Sequence, residues 1–285
     1  MKKALFFILI ILSASVYGQE MKRPAIWGIA KITFLVSDMQ MARDYYGRFL
    51  GFDEAFSYDS PRGKVVSFKV NDRQFLEFIE DNDAINKKRM VSYSLETDDV
   101  EGMRFFLQQK GIKVPDKVTK DAVGNDSFEL VDNSGNVLEF LNMNEDGLYK
   151  RSKGKFLSER RISKRIHHIG IYAEKIDEND PLYVQALGLY KIVRYPEDAS
   201  LSPKILYLGF NNCIENIEFY SPNNPNFCHP CFVVDDMQET IYTLKERQIN
   251  EVLNNPGIGY GKRWLLNLMT PDKTKVEFTE PFTIR

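Results

Sequence analysis

The chain has 285 residues, of which 38 are basic and 40 acidic, for a formal net charge of −2 at neutral pH. That balance argues against nucleic acid as a general partner, because binding phosphates needs a basic surface. Three cysteines permit at most one disulfide, so the chain is not a disulfide scaffold.

The first eighteen residues, "MKKALFFILIILSASVYG", read as a secretory signal. They carry a Lys2–Lys3 head, an apolar run, and small residues near a cut after Gly18. An uncleaved N-terminal anchor is the alternative, but the apolar run is short for a membrane span. No cysteine follows it to take a lipid. The expected location is periplasmic or secreted, with no membrane attachment after cleavage. What remains, about 265 residues, suits one large or two medium domains.

Beyond the signal the sequence repeats itself. "ITFLVSDMQMARDYYGRFLGF" (Ile32–Phe52) resembles "IGIYAEKIDENDPLYVQALGLY" (Ile169–Tyr190). Each reads as a strand, a turn, a helix and then Leu-Gly. Ala42, Tyr45, Tyr46 and Phe49 follow the helical spacing i, i+3, i+4, i+7. Gly51 and Gly188 stand where a helix C-terminus favours a left-handed residue. Asp180-Pro181 offers a cap and a first-turn proline. "YSLETDDVEGMRFFLQQKGI" (Tyr93–Ile112) pairs with "CFVVDDMQETIYTLKERQI" (Cys231–Ile249), both a strand, an Asp-Asp cap and an amphipathic helix. "LVDNSGNVLEFLNM" (Leu130–Met143) pairs with "LMTPDKTKVEFTEP" (Leu268–Pro281), both a hairpin ending in a glutamate among apolar residues.

The chain is therefore expected to be α+β, with two modules at 27–145 and 165–283, each built from two βαβββ units. Such units form a curved half-barrel whose concave face holds a ligand. The segment 146–164 between them is basic and reads either as an anion-binding strip or as a solvated linker, the reading expected here.

The segments "IHHIGIY", "QALGLY", "CHPCFVVDD" and "TKVEFTEP", in this order and twice over, resemble the vicinal oxygen chelate superfamily. That group includes glyoxalase I, extradiol dioxygenases, epimerases and fosfomycin- and bleomycin-resistance proteins. The resemblance covers nearly all of the chain after the signal. It implies a divalent metal (Fe, Zn, Ni or Mn) held at positions that read His168, Glu218, His229 and Glu277 in the second module. The only other histidine is His167. The matching positions of the first module are Lys31, Glu77, Ser92 and Glu139. A protonated lysine repels a cation, so that module is expected to be a structural partner or a substrate wall, with Lys31 paired to Glu77 or Glu139.

Cys228-His229-Pro230-Cys231 is read through the alternation of a strand. A span of three residues along a strand is roughly 10 Å, too far for a disulfide, which needs Cα atoms within about 7 Å. A redox pair and a cysteine-assisted zinc site are weighed, and buried small hydrophobes are expected. Parity turns His229 and Cys231 to the concave face and leaves Cys228 on the other. By the same parity His167 points away from His168 and has no role. Glu218 remains open as a ligand, a general base or a polar residue at the sheet edge.

A metal with open positions binds neighbouring substrate oxygens and stabilises charge that appears beside a carbonyl. Glu218 or Glu277 would move the proton. The expected activity is thus that of an isomerase, epimerase or lyase on a small oxygenated substrate. An Fe(II) dioxygenase and a non-catalytic resistance-type binding protein are the alternatives. The resemblance implies a further histidine and a tyrosine for ring cleavage. His167 is on the wrong face by parity, and Asn267 stands in the tyrosine's place. Tyr260, Lys262 and Arg263, in the glycine-rich "GIGYGKRW", are expected beside the site with Asn267, as substrate-binding residues. A monomer or a homodimer fits tandem modules.

Overall fold

In the computed structural model, which describes residues 21–221, 227–247 and 255–284, the repeats become two eight-stranded sheets. The expected signal segment, 1–18, lies outside the described residues. The first sheet holds β1 (Gly28–Val36), β2 (Asp53–Ser60), β3 (Gly63–Lys69), β4 (Phe75–Glu80), β5 (Met90–Glu96), β6 (Thr119–Lys120), β7 (Asp126–Val131) and β8 (Val137–Asn142), in the order β2-β3-β4-β1-β5-β8-β7-β6. The second holds β9 (Ile166–Tyr172), β10 (Tyr190–Tyr195), β11 (Ile205–Gly209), β12 (Asn216–Tyr220), β13 (His229–Val233), β14 (Gly257–Ile258), β15 (Trp264–Met269) and β16 (Lys275–Thr279), in the equivalent order. In each sheet the two four-stranded units meet at one central antiparallel pair, β1 with β5 and β9 with β13.

Helices form where the spacing requires them. α1 (Met39–Ala42) runs on into a π-helix over Arg43–Phe49, which buries Tyr45, Tyr46 and Phe49. The first helix of the second half is also a π-helix, Pro181–Ala186, and the Asp180 side chain accepts from Leu182 N and Tyr183 N. The wider winding shows in the closing bonds, Leu50 N to Tyr45 O and Leu187 N to Leu182 O, each five residues back. Gly51 (φ 81°) and Gly188 (φ 68°) take the left-handed conformation just past those ends. α2 (Val100–Gln109) and α4 (Met237–Glu246) are capped by Asp99 and Asp236.

One apolar core runs through both halves. Phe52 and Phe232 pack with tilted rings at 5.2 Å, and Tyr93 and Tyr183 share a hydrogen bond of 2.5 Å, with Tyr183 donating on to Asp132. Gln74 Oε1 accepts from Ile166 N at 2.8 Å, tying β9 to the turn before β4.

The connector between the sheets is solvated along much of its length but is anchored at one point. Its charged side chains Lys153 and Lys155 are exposed, but α3 (Leu148–Arg151) delivers Tyr149, fully buried, into the concave face of the first sheet. There Tyr149 packs on Phe56 and Phe75, at 5.3 and 4.5 Å, within a cluster that includes Ala30, Leu141 and Met143. Its hydroxyl donates to Glu77. Lys31 Nζ lies 3.4 Å from Glu77 and 3.2 Å from Glu139, so it pairs with both acids. The first concavity is filled from within.

Candidate metal centre

The second concavity is open and gathers four side chains from four strands. β9 carries His168, β12 Glu218, β13 His229 and β16 Glu277, all buried. His168 Nε2 lies 3.2 Å from Glu277 Oε2 and 3.5 Å from Glu218 Oε2. His229 Nε2 lies 3.2 Å from each of the same two oxygens. Register explains the convergence: Cys231 pairs with His168 and with Glu277, and Gly170 pairs with His229 and with Glu218.

These donors fit a divalent cation. Bonds of about 2.1 Å place adjacent ligand atoms about 3.0–3.4 Å apart, close to the separations seen. Glu218 Oε2 and His229 Nε2 are buried and form no hydrogen bond, although buried polar atoms normally do. His229 Nδ1 sits 2.7 Å from Phe227 O and donates to it, which leaves Nε2 facing the centre, where a bound cation would take the place of its proton. Gly170 makes room for the ring, because a Cβ there would come within 2.0 Å of His229. Burial opposes charge on Glu218, His229 and Glu277. Even so, the imidazoles of His168 and His229 hold the Glu218 carboxyl at about 2, and Glu277 lifts His229 to about 9. The acids of the centre are ionised, with the His229 ring and the Lys275 ammonium beside them.

Glu215, just before β12, points elsewhere and pairs with Arg165 and Gln74. All three cysteines are free. Cys228 lies in the apolar core, and Cys231 is fully buried beside His167 and His168. Burial and the nearby Glu277 and Glu218 push its thiol well above the ordinary range.

The expectation for His167 is overturned. His167 Nδ1 is 2.9 Å from His168 Nδ1, and both residues line the same cavity. The cause is a β-bulge: Cys231 pairs with His168 but Phe232 with Ile166, which leaves His167 as an extra residue on β9. Ala30 is the extra residue at the same place on β1. Strict alternation fails there, and both histidines turn inward. Burial, with His168 and Arg263 alongside, holds His167 at about 2 and therefore neutral.

Two cavities of about 810 and 790 Å³ flank the centre and share Tyr207, Tyr260 and Leu265 as walls. Tyr260, Lys262 and Arg263 line the first; Tyr260 and Asn267 line the second. Arg263 also bonds to His167 Nε2. Sequence reasoning missed two residues. Tyr207 donates to Glu218 Oε1 at 2.8 Å, a cross-strand contact invisible without the register. Lys275 ion-pairs with Glu277 Oε1, and its place two residues before Glu277 on a strand was a readable signal.

Residues 28–140 match the family model described as Glyoxalase/Bleomycin resistance protein/Dioxygenase superfamily. Among solved structures, a single-substitution variant of homoprotocatechuate 2,3-dioxygenase from Brevibacterium fuscum matches with a TM-score of 0.70 at 15% identity, over 91% of this chain and 72% of that one. An anaerobic complex of that enzyme with 3,4-dihydroxyphenylacetate matches at 0.65 and 13%, over 91% and 82%. A room-temperature structure of an extradiol ring-cleaving dioxygenase from B. fuscum matches at 0.67 and 14%, over 91% and 73%. At these identities the likeness is one of fold. No curated protein matches the chain.

Proposed function

We propose that this chain, whose residues 28–140 match the glyoxalase/bleomycin-resistance/dioxygenase superfamily model and whose fold resembles extradiol dioxygenases, is a divalent-metal-dependent enzyme acting on a small oxygenated substrate. The observation that carries the reading is the convergence of two imidazoles and two carboxylates in an otherwise open concavity. A cation held by His168, Glu218, His229 and Glu277 would supply Lewis-acid stabilisation of negative charge on substrate oxygens. The chain's own residues do the rest. Glu277 is fixed by Lys275 and serves as a ligand. Glu218, whose Oε1 holds only the Tyr207 phenol, moves the proton next to a substrate carbonyl. Tyr260, Arg263 and Asn267 line the approach. The reaction class is isomerase, epimerase or lyase, and the export read from residues 1–18 belongs to the same proposal.

A dioxygenase is the second reading. It is favoured by the fold likeness to ring-cleaving enzymes and by His167, a histidine beside the ligand set. Metal analysis of the purified full chain tests the shared premise. Stoichiometric metal is expected in the native protein and loss of it in the His168→Ala, His229→Ala double variant. Metal-free native protein that still binds small ligands would return the chain to the resistance-type class. The two chemistries separate on one assay: solvent deuterium entering the carbon next to a carbonyl supports the first, and oxygen uptake with catechols after Fe(II) loading supports the second.

A further inference from the structure

We infer that Lys275 decides how Glu277 is offered to a bound cation and, through that, how open the centre stays. The inference rests on the metal-centre reading. Glu277 Oε2 faces His168 and His229, each at 3.2 Å, while Oε1 is ion-paired with the Lys275 ammonium. Lys275 and Glu277 share a face of β16, so the lysine lines the cavity that also holds Glu218 and His229. A carboxylate with one oxygen committed to an ammonium has one oxygen left for a metal. The lysine's charge, next to the centre, also opposes a second cation. Both effects run the same way: Lys275 weakens cation binding and keeps Glu277 from closing over the ion with both oxygens.

The first sheet supports this contrast. There the position two before the β8 glutamate is Val137, and the cation is Lys31 itself, seated between Glu77 and Glu139. In one sheet a lysine replaces the ion; in the other a lysine stands beside its place and regulates it.

The test uses the metal-free full chain titrated with Co(II) alone, read by affinity and by the visible absorption of the bound ion. Lys275→Met is expected to bind Co(II) about tenfold tighter or more, as a charge repulsion is removed. Its absorption should weaken, because two-oxygen ligation raises the coordination number. Lys275→Gln keeps a donor for Oε1 without the charge, and tests the idea even where the methionine variant fails to fold. It should bind more tightly than the native chain while keeping the native spectrum. Unchanged or weaker binding in a folded variant overturns the role of Lys275, as does a native spectrum in Lys275→Met. A native chain that binds no Co(II) overturns the metal centre as well, so the two failures are told apart.

Discussion

Glycine 170 shows how one missing carbon makes room for the centre. The residue sits opposite His229 in the β9–β13 pair, and the His229 ring occupies the space a side chain would fill. At the matching register of the first sheet stands Thr33, whose hydroxyl approaches Glu77 at 3.3 Å. Gly170→Ala is therefore expected to push the His229 ring away and cut metal affinity at least about tenfold, the scale of losing support for a ligand. Calorimetric metal titration checks this, with far-ultraviolet circular dichroism unchanged. Native affinity in a folded Gly170→Ala protein would show that His229 is not a ligand.

Lysine 31 makes a second prediction at this scale. Burial opposes its charge, but Glu139 and Glu77 more than offset that and hold its ammonium well above the ordinary lysine value. Lys31→Met leaves two acids buried without their cation and should cost about 3–5 kcal/mol in denaturant unfolding. A raised lysine stabilises the fold at every pH below its unfolded value of 10.5 and loses that contribution as pH rises through its folded value. The gap between native and variant should thus persist through neutral pH and close only in strong alkali.

At the scale of elements, α3 and the central bulges carry the difference between the halves. A bulge at Ala30 and another at His167 stand in equivalent places, yet one faces an apolar plug and the other a polar cavity. The plug is Tyr149. Tyr149→Ala should destabilise the chain by about 3–5 kcal/mol, as expected for emptying a large aromatic site. Metal binding in the second sheet should remain within about twofold of native, since distant sites act independently. A large drop in metal affinity would mean that the two concavities are coupled, contrary to this picture.

At the scale of the molecule, the shared core makes the halves interdependent. Tyr93 of β5 and Tyr183 of the second half meet in one hydrogen bond, and Arg89 reaches Thr274 Oγ1 at 2.9 Å. A chain cut between α3 and β9 would expose that apolar surface on both pieces. Calorimetry of the full chain should show one cooperative transition, with calorimetric and van't Hoff enthalpies equal. Two resolved transitions would show that the halves hold their own cores. Among the described residues no helix is long and apolar enough to cross a membrane.

The repeat and the order of its elements were legible in the chain itself, because they depend on local signals. Asp caps, Leu-Gly helix ends and the two-residue period of strands are written within a few neighbours, whereas His168, His229 and Glu277 were implied by the resemblance to the vicinal oxygen chelate superfamily. Lys275 was equally legible by parity, being two residues from Glu277. Three things were decided only by tertiary structure. The bulge that turns His167 inward depends on how β9 meets β13, and alternation cannot register an extra residue. The contact of Tyr207 with Glu218 depends on the β11–β12 register. The filling of one concavity by Tyr149, while the other stays open, depends on where a connector folds back, a choice made by packing between residues far apart in sequence.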